Sequence, residues 1–81
     1  MRRVKIQITN DEYKWIEEYA VNKEYEGLFY RSVNGRWYPV RDTMQFCIKT
    51  AKGLFDAMSK ILRPDYPDAK IELIEECGWK D

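Results

Sequence analysis

The sequence offers few side chains that could act as nucleophiles, general bases or metal ligands. Its 81 residues include no histidine, which removes the commonest general base and the commonest metal ligand. The two cysteines, Cys47 and Cys77, do not form a Cys-x-x-Cys pair, and a structural zinc ion would need four ligands. No Gly-rich phosphate loop and no Ser-centred nucleophile turn is present. We therefore expect no enzymatic activity, no metal and no other cofactor.

The remaining chemical candidates are thiols and carboxylates. Cys47 lies on the apolar stripe of a predicted helix, and Cys77 ends a predicted strand at the same edge of the sheet, so the two thiols are expected to be near neighbours. We expect both to be free, half-buried thiols, because a reducing cytoplasm is the default compartment for a chain with so few cysteines. The carboxylates of Glu17 and Glu18, and of Glu75 and Glu76, are expected to be solvated, since sequence neighbours point to different faces.

Length and composition predict one small globular domain covering residues 1–81. Hydrophobic residues make up 44% and charged residues 35%, which is typical of a chain that folds around a single core. No apolar run reaches the roughly 18 to 20 residues that span a bilayer, so we expect neither a signal peptide nor contact with a membrane.

The charges balance overall but are unevenly distributed. Fourteen basic residues match fourteen acidic ones, which argues against binding of nucleic acid through the overall charge of the protein. Residues 31–63 carry a net charge of +5, whereas residues 10–26 and 64–81 carry −4 each. The basic side chains expected on the polar side of the second predicted helix are Lys49, Lys52, Lys60 and Arg63. They fit either an ordinary solvated helix face or a contact with phosphates or an acidic partner.

Local patterns predict the element order β-α-β-β-α-β. Alternation over Val4–Thr9 predicts a strand, and the capping box at Thr9, Asn10 and Glu12 predicts a helix that continues to about Tyr25 and stops at Gly27. A hairpin is expected over 28–33 and 36–41, because Asn34-Gly35 suits a type I′ turn. A second helix is expected to begin at its cap, Asp42, and to be stopped by Pro64, and a last strand is expected over 70–77.

This order predicts a ferredoxin-like α+β plait, in which a four-stranded antiparallel sheet carries two helices on one face. The expected strand order is 4-1-3-2, with the last strand beside the first. The side chains expected in the core are Ile6, Ile48, Leu54, Phe55, Ile71 and Leu73.

An alternative starts from Val4–Ala20, which resembles the strand and first helix of ribbon-helix-helix DNA-binding proteins. The resemblance covers about a quarter of the chain and would place Lys5, Gln7 and Thr9 where that family reads bases. The family has a short loop before its second helix, whereas here the hairpin intervenes and a further strand follows.

The hairpin is the most informative segment for function, because both of its faces carry large side chains. A two-residue turn predicts the pairs Val33–Arg36, Arg31–Tyr38 and Phe29–Val40 on one face and Ser32–Trp37, Tyr30–Pro39 and Leu28–Arg41 on the other. Two sets of large side chains follow: Tyr30, Trp37 and Leu28 on one face, and Phe29, Val33 and Val40 on the other. We expect the first set to point outward, and the residues predicted to contact a partner are Tyr30, Arg31, Arg36, Trp37, Tyr38 and Arg41. The alternatives are that the C-terminal segment around Trp79, or the mate in a homodimer, covers these aromatic rings.

Two classes of function remain. The first is a protein-binding module: a small cytoplasmic inhibitor, adaptor or regulatory partner of the kind that phages and other mobile elements encode. The second is a nucleic-acid binder that stacks bases on Tyr30 and Trp37 while the basic helix stripe holds phosphates. The first is favoured, because the charges balance and the last strand is acidic at Glu72, Glu75 and Glu76.

Overall fold

The computed structural model describes residues 2–21, 28–42 and 48–79, with Leu28, Arg41 and Asp42 described through their backbone only. Five strands form one antiparallel sheet: β1 (Arg2–Thr9), β2 (Lys14–Val21), β3 (Leu28–Val33), β4 (Arg36–Asp42) and β5 (Lys70–Cys77). Their order in the sheet is β4-β3-β2-β1-β5. Within the described residues a single helix, α1 (Ala51–Leu62), packs on β1 and β5. The ferredoxin-like plait is therefore wrong, although the last strand does lie beside the first.

The segment predicted as the first helix forms β2 over all of its residues from Lys14 to Val21, and residues 22–27 lie outside the description. The side chain of Asn10 accepts hydrogen bonds from the backbone N–H groups of Glu12 and Tyr13, at 2.9 and 2.7 Å, so it organises a tight turn instead of capping a helix. The same pairing excludes the ribbon-helix-helix alternative, because β1 is flanked by β2 and β5 of its own chain.

The second helix is shorter than predicted. Asp42 remains in β4, opposite Leu28, whereas the helix begins only at Ala51, so Asp42 does not cap it. The helix begins after Thr50, whose hydroxyl accepts a hydrogen bond from the N–H of Gly53 at 3.0 Å. Residues 43–47, which include Cys47, lie outside the described part of the chain.

The core lies between the sheet and α1. Val4, Ile6 and Ile8 alternate on the face of β1 that meets α1 and are at most 1% exposed. Each such burial contributes about 1.5–3 kcal/mol. Leu54 and Met58 of α1 are fully buried against them. Of the predicted core, Ile6 and Leu54 are buried, and the others pack half-buried against the cluster: Ile48, Phe55, Ile71 and Leu73.

Both edges of the sheet carry irregularities that discourage further strand pairing. In a two-residue hairpin the residues that flank the turn exchange backbone hydrogen bonds, and this pattern alternates along the ladder. Pro39 of β4 therefore directs its backbone away from β3, and a proline nitrogen has no proton to donate there. At the other edge, the register shift between Lys5 and Ile6 of β1 leaves Ile74 as an extra residue in β5.

Candidate functional site

The β3–β4 hairpin forms as predicted near its turn. Asn34 and Gly35 have φ values of 53° and 78°, as a type I′ turn requires. The four predicted pairs next to the turn are observed: Val33–Arg36, Ser32–Trp37, Arg31–Tyr38 and Tyr30–Pro39. The two further pairs are wrong by one residue, because a register shift beyond Tyr30 places Phe29 opposite Arg41. A bulge at Val40 is tolerated because β4 is an edge strand.

The predicted partner-binding residues divide between the two faces of the sheet. Directly paired residues share a face, so the chain of pairs Val4–Tyr19–Arg31–Tyr38 places Arg31 and Tyr38 on the side of α1. Arg36 lies on that side too, since it is two residues from Tyr38. The face of the sheet opposite α1, here called the open face, carries Tyr30 and Trp37 as half-buried side chains.

The expected inward and outward sets are therefore only partly correct. Phe29 is fully buried, as expected. Val33 and Val40, which were also expected inward, are 46% and 39% exposed. Tyr38 is 49% exposed. The α1 side of the hairpin consequently offers apolar surface to solvent as well as its two described guanidinium groups.

A buried carboxylate lies beside Arg31. Glu17 of β2 is only 6% exposed and accepts hydrogen bonds from the hydroxyl of Tyr19, from Trp15 Nε1 at 3.4 Å and from Arg31 at 2.5 Å. These donors replace the water that the carboxylate lost on burial. Burial, reinforced by the bond to Glu17, raises the pKa of Tyr19 well above its ordinary value, so Tyr19 remains a donor. Glu17 and its three donors, Trp15, Tyr19 and Arg31, are called here the Glu17 network.

Sequence reasoning missed the Glu17 network, because it assigned Glu17 to the solvated surface. The pair Glu17 and Glu18 does point to opposite faces, as predicted, but the face of Glu17 is the buried one. The signal in the sequence was the two-residue spacing of Trp15, Glu17, Tyr19 and Val21. In a strand, residues at this spacing lie on one face, so Glu17 shares its face with three large apolar or aromatic side chains.

The open face is held by charge pairs between β1 and its two neighbours. Arg3 donates to Glu18 at 2.9 Å and to the sulfur of Cys77 at 3.0 Å, and Lys5 lies 3.1 Å from Glu75. Cys77 is a free, exposed thiol and not a half-buried one; its predicted neighbour Cys47 lies outside the described residues.

Trp79 packs near the start of β1 instead of on the hairpin. Its indole N–H donates to the carbonyl oxygen of Arg3 at 2.8 Å, and Arg2 lies over its ring at 5.3 Å. This position is two strands away from β3, so the alternative in which Trp79 covers the hairpin aromatics is wrong.

The four basic residues predicted for the second helix are all exposed but have different surroundings. Lys49 precedes α1, and Lys52 and Lys60 are exposed on it with Asp56 between them at helical spacing. The guanidinium group of Arg63 donates to the backbone oxygens of Tyr66, Pro67 and Ala69, at 3.2, 3.3 and 2.7 Å. Arg63 therefore fastens the connection between α1 and β5.

Two further properties concern the described residues as a whole. Residues 2–21, 28–42 and 48–79 contain no group of three or more Cys, Asp or Glu side chains placed to hold a metal ion. In the same ranges no helix has the length and apolar character that crossing a membrane requires. Comparison of the chain with protein-family models, with curated proteins and with solved structures found no match.

Proposed function

We propose that the protein is a non-enzymatic protein-binding module, an inhibitor, adaptor or regulatory partner that covers a surface of a larger protein with its β3–β4 hairpin. The observation that carries the proposal is the exposed combination of Tyr38, Val33 and Val40 with Arg31 and Arg36 in one hairpin. Aromatic and arginine side chains dominate the binding energy of protein interfaces. Exposed apolar surface on a small domain is better explained by a partner than by the domain's own stability.

A nucleic-acid binder is the second candidate, and it rests on a different observation. Tyr30 and Trp37 lie on the open face, where a single strand could stack on them. The basic side chains of β1 on that face, Arg3 and Lys5, are already paired with Glu18 and Glu75, which makes them poor holders of phosphates. The protein interface is therefore favoured, and salt dependence separates the two, because phosphate contacts weaken steeply with salt.

The test is a capture experiment followed by measured affinities. A protein captured by the tagged chain is identified, purified and titrated against the wild type and the variants Tyr38→Ala, Trp37→Ala and Tyr13→Ala. We expect Tyr38→Ala to weaken binding about 30-fold or more, the scale of a hot-spot residue near 2 kcal/mol, whereas a loss in Trp37→Ala alone would place the contact on the open face.

Tyr13→Ala is the matched control, because Tyr13 is 67% exposed and lies in the turn between β1 and β2. Its affinity should equal that of the wild type. A partner that binds all three variants equally would show that the hairpin is not the contact surface. Binding that survives only at low salt and requires a single-stranded oligonucleotide would favour the second candidate.

A further inference from the structure

We infer that the α1 side of the hairpin recognises carboxylate groups of an acidic segment in the partner protein, with Arg31 as the contact residue and Glu17 as the residue that positions it. This inference rests on the proposed function and specifies the chemistry of the partner.

The first step of the argument is the way Arg31 is held. One of its terminal nitrogens donates to the carboxylate of Glu17, which is itself fixed by Tyr19 and Trp15. A guanidinium group has five N–H donors in a rigid plane, so one anchored nitrogen sets the direction of the others. The side chain of Arg31 remains 48% exposed. Within the described residues, Glu17 is its only hydrogen-bond partner, and the outer N–H groups face solvent in a preorganised position.

The second step is the charge around this position. The described side chains of the hairpin include two guanidinium groups, Arg31 and Arg36, and no carboxylate. Among the described side chains, the carboxylate that contacts Arg31 is that of Glu17, which is buried and already bonded. A carboxylate from outside would meet a forked donor in the geometry that Arg–carboxylate pairs favour.

The third step separates a protein carboxylate from a phosphate. Tyr38 stands directly opposite Arg31, and Val33 is exposed on the same side, so the donors are bordered by apolar surface. The rings on which bases could stack, Tyr30 and Trp37, point to the open face instead. An acidic peptide segment with an apolar side chain beside its carboxylate matches both parts of this surface.

The approach is onto the face of the hairpin and not along its edge. Pro39 removes a backbone donor from the free edge of β4, which disfavours an added strand. Side chains, and Arg31 in particular, must therefore provide most of the recognition.

The experiment titrates the full-length protein, labelled with ¹⁵N, with a synthetic peptide of Glu, Gly and Tyr. The comparison probes are the same peptide with Gln in place of Glu, and an oligothymidylate. We expect the Glu peptide to bind and to shift the Arg31 Nε–Hε signal, and the Gln peptide to bind at least about tenfold more weakly. Arg31→Lys should lose about tenfold in affinity, because lysine lacks the planar fork.

The positioning role of Glu17 is tested with the matched pair Glu17→Gln and Glu18→Gln. The two substitutions are chemically identical and adjacent, but Glu18 faces the open side and pairs with Arg3. Glu17→Gln should broaden the Arg31 Nε–Hε signal and weaken the peptide about tenfold, whereas Glu18→Gln should change neither. Since Glu17→Gln could also unfold the domain, the thermal melt of this variant is recorded first. Arg31→Lys changes a half-exposed residue and provides an independent test of the guanidinium contact.

Three outcomes would overturn the inference: equal binding of the Glu and Gln peptides, preferential binding of the oligothymidylate, or full affinity in Arg31→Lys. A folded Glu17→Gln variant with an unchanged Arg31 signal and unchanged affinity would refute the positioning role. If the Glu peptide does not bind while Tyr38→Ala still weakens binding of the captured partner, recognition of an acidic segment is refuted. The proposal of a protein-binding module is then not refuted.

Discussion

Replacing Tyr19 with Phe removes one hydroxyl group from the Glu17 network and keeps the aromatic ring that packs in the core. Tyr19 is 1% exposed, and its hydroxyl donates to the buried carboxylate of Glu17. A hydrogen bond to a charged group contributes about 1.5–3 kcal/mol, and its loss leaves a buried acceptor less well satisfied. We therefore expect a decrease of about 2 kcal/mol in the free energy of unfolding, or about 10 °C in Tm for a domain of this size.

The measurement is urea unfolding at neutral pH, followed by circular dichroism, for the wild type, Tyr19→Phe and Tyr13→Phe. Tyr13 is the control because it is 67% exposed, so the loss of its hydroxyl should change stability by less than about 0.5 kcal/mol. Equal unfolding midpoints for Tyr19→Phe and the wild type would refute the assignment of Glu17 as a buried acceptor that depends on this donor.

The same variant tests the direction of the Tyr19 pKa. Folding raises this pKa above the ordinary value of 10.0, so above that pH the unfolded chain loses a proton that the folded protein keeps. The unfolded state then binds fewer protons, and stability falls as pH rises, by about 1.4 kcal/mol per pH unit for one group. We expect the stability advantage of the wild type over Tyr19→Phe to be constant below about pH 9 and to shrink by about pH 11. A constant difference over this range would contradict a raised pKa.

Three further predictions concern the core, the hairpin turn and the exposed thiol. Leu54→Ala should destabilise by about 2–5 kcal/mol in urea unfolding, because Leu54 is fully buried, whereas Lys52→Ala on the exposed side should change stability by less than about 0.5 kcal/mol. Gly35→Ala should cost about 1–2 kcal/mol in the same assay, because φ is +78° with no heavy atom within 4 Å, so the cost is backbone strain alone. Cys77 should react with a thiol reagent in the folded protein, as mass spectrometry can show; protection until unfolding would contradict its exposed position.

Where the information is local, the sequence predicts the fold well. The strand over 70–77 and the hairpin around Asn34-Gly35 follow from alternation and from two residues that accept positive φ. These signals depend on neighbours in the chain, so no tertiary contact was needed to interpret them.

Elements that depend on long-range contacts were predicted wrongly. The turn that Asn10 forms uses the same residue types as a helix cap, so the sequence alone did not distinguish the two. Lys14–Val21 forms a strand and not a helix because it pairs on both sides, with β1 and β3. The charged residue Glu17 interrupts the apolar face of β2, so the strand pattern was not recognised. Glu17 can be buried because it pairs with Arg31, which belongs to another strand. The C-terminal end of α1 follows from Pro64 in the sequence. Its N-terminal start was predicted wrongly, because it depends on how far the β3–β4 ladder extends.

The candidate site shows the same division. The choice of the hairpin, and of Arg31 and Tyr38 as exposed partners across it, came from the two-residue turn. The distribution of these residues over two faces, with Tyr30 and Trp37 on the open one, required knowing which face α1 covers. Register within one hairpin is local, whereas the location of the helix is a property of the whole sheet.

The position of β1 between β2 and β5 has a consequence for how the chain folds. Its pairing with β2 is a hairpin, but its pairing with β5 joins Thr9 to Lys70, across most of the sequence. Closing that long loop costs entropy before any contact compensates for it, which makes the β1–β5 pairing the natural rate-limiting event. During synthesis β1 leaves the ribosome before β5, and one edge of β1 stays unpaired until residues 70–77 follow. Nascent chains are therefore most open to misassociation, and most suited to chaperone binding, in that interval.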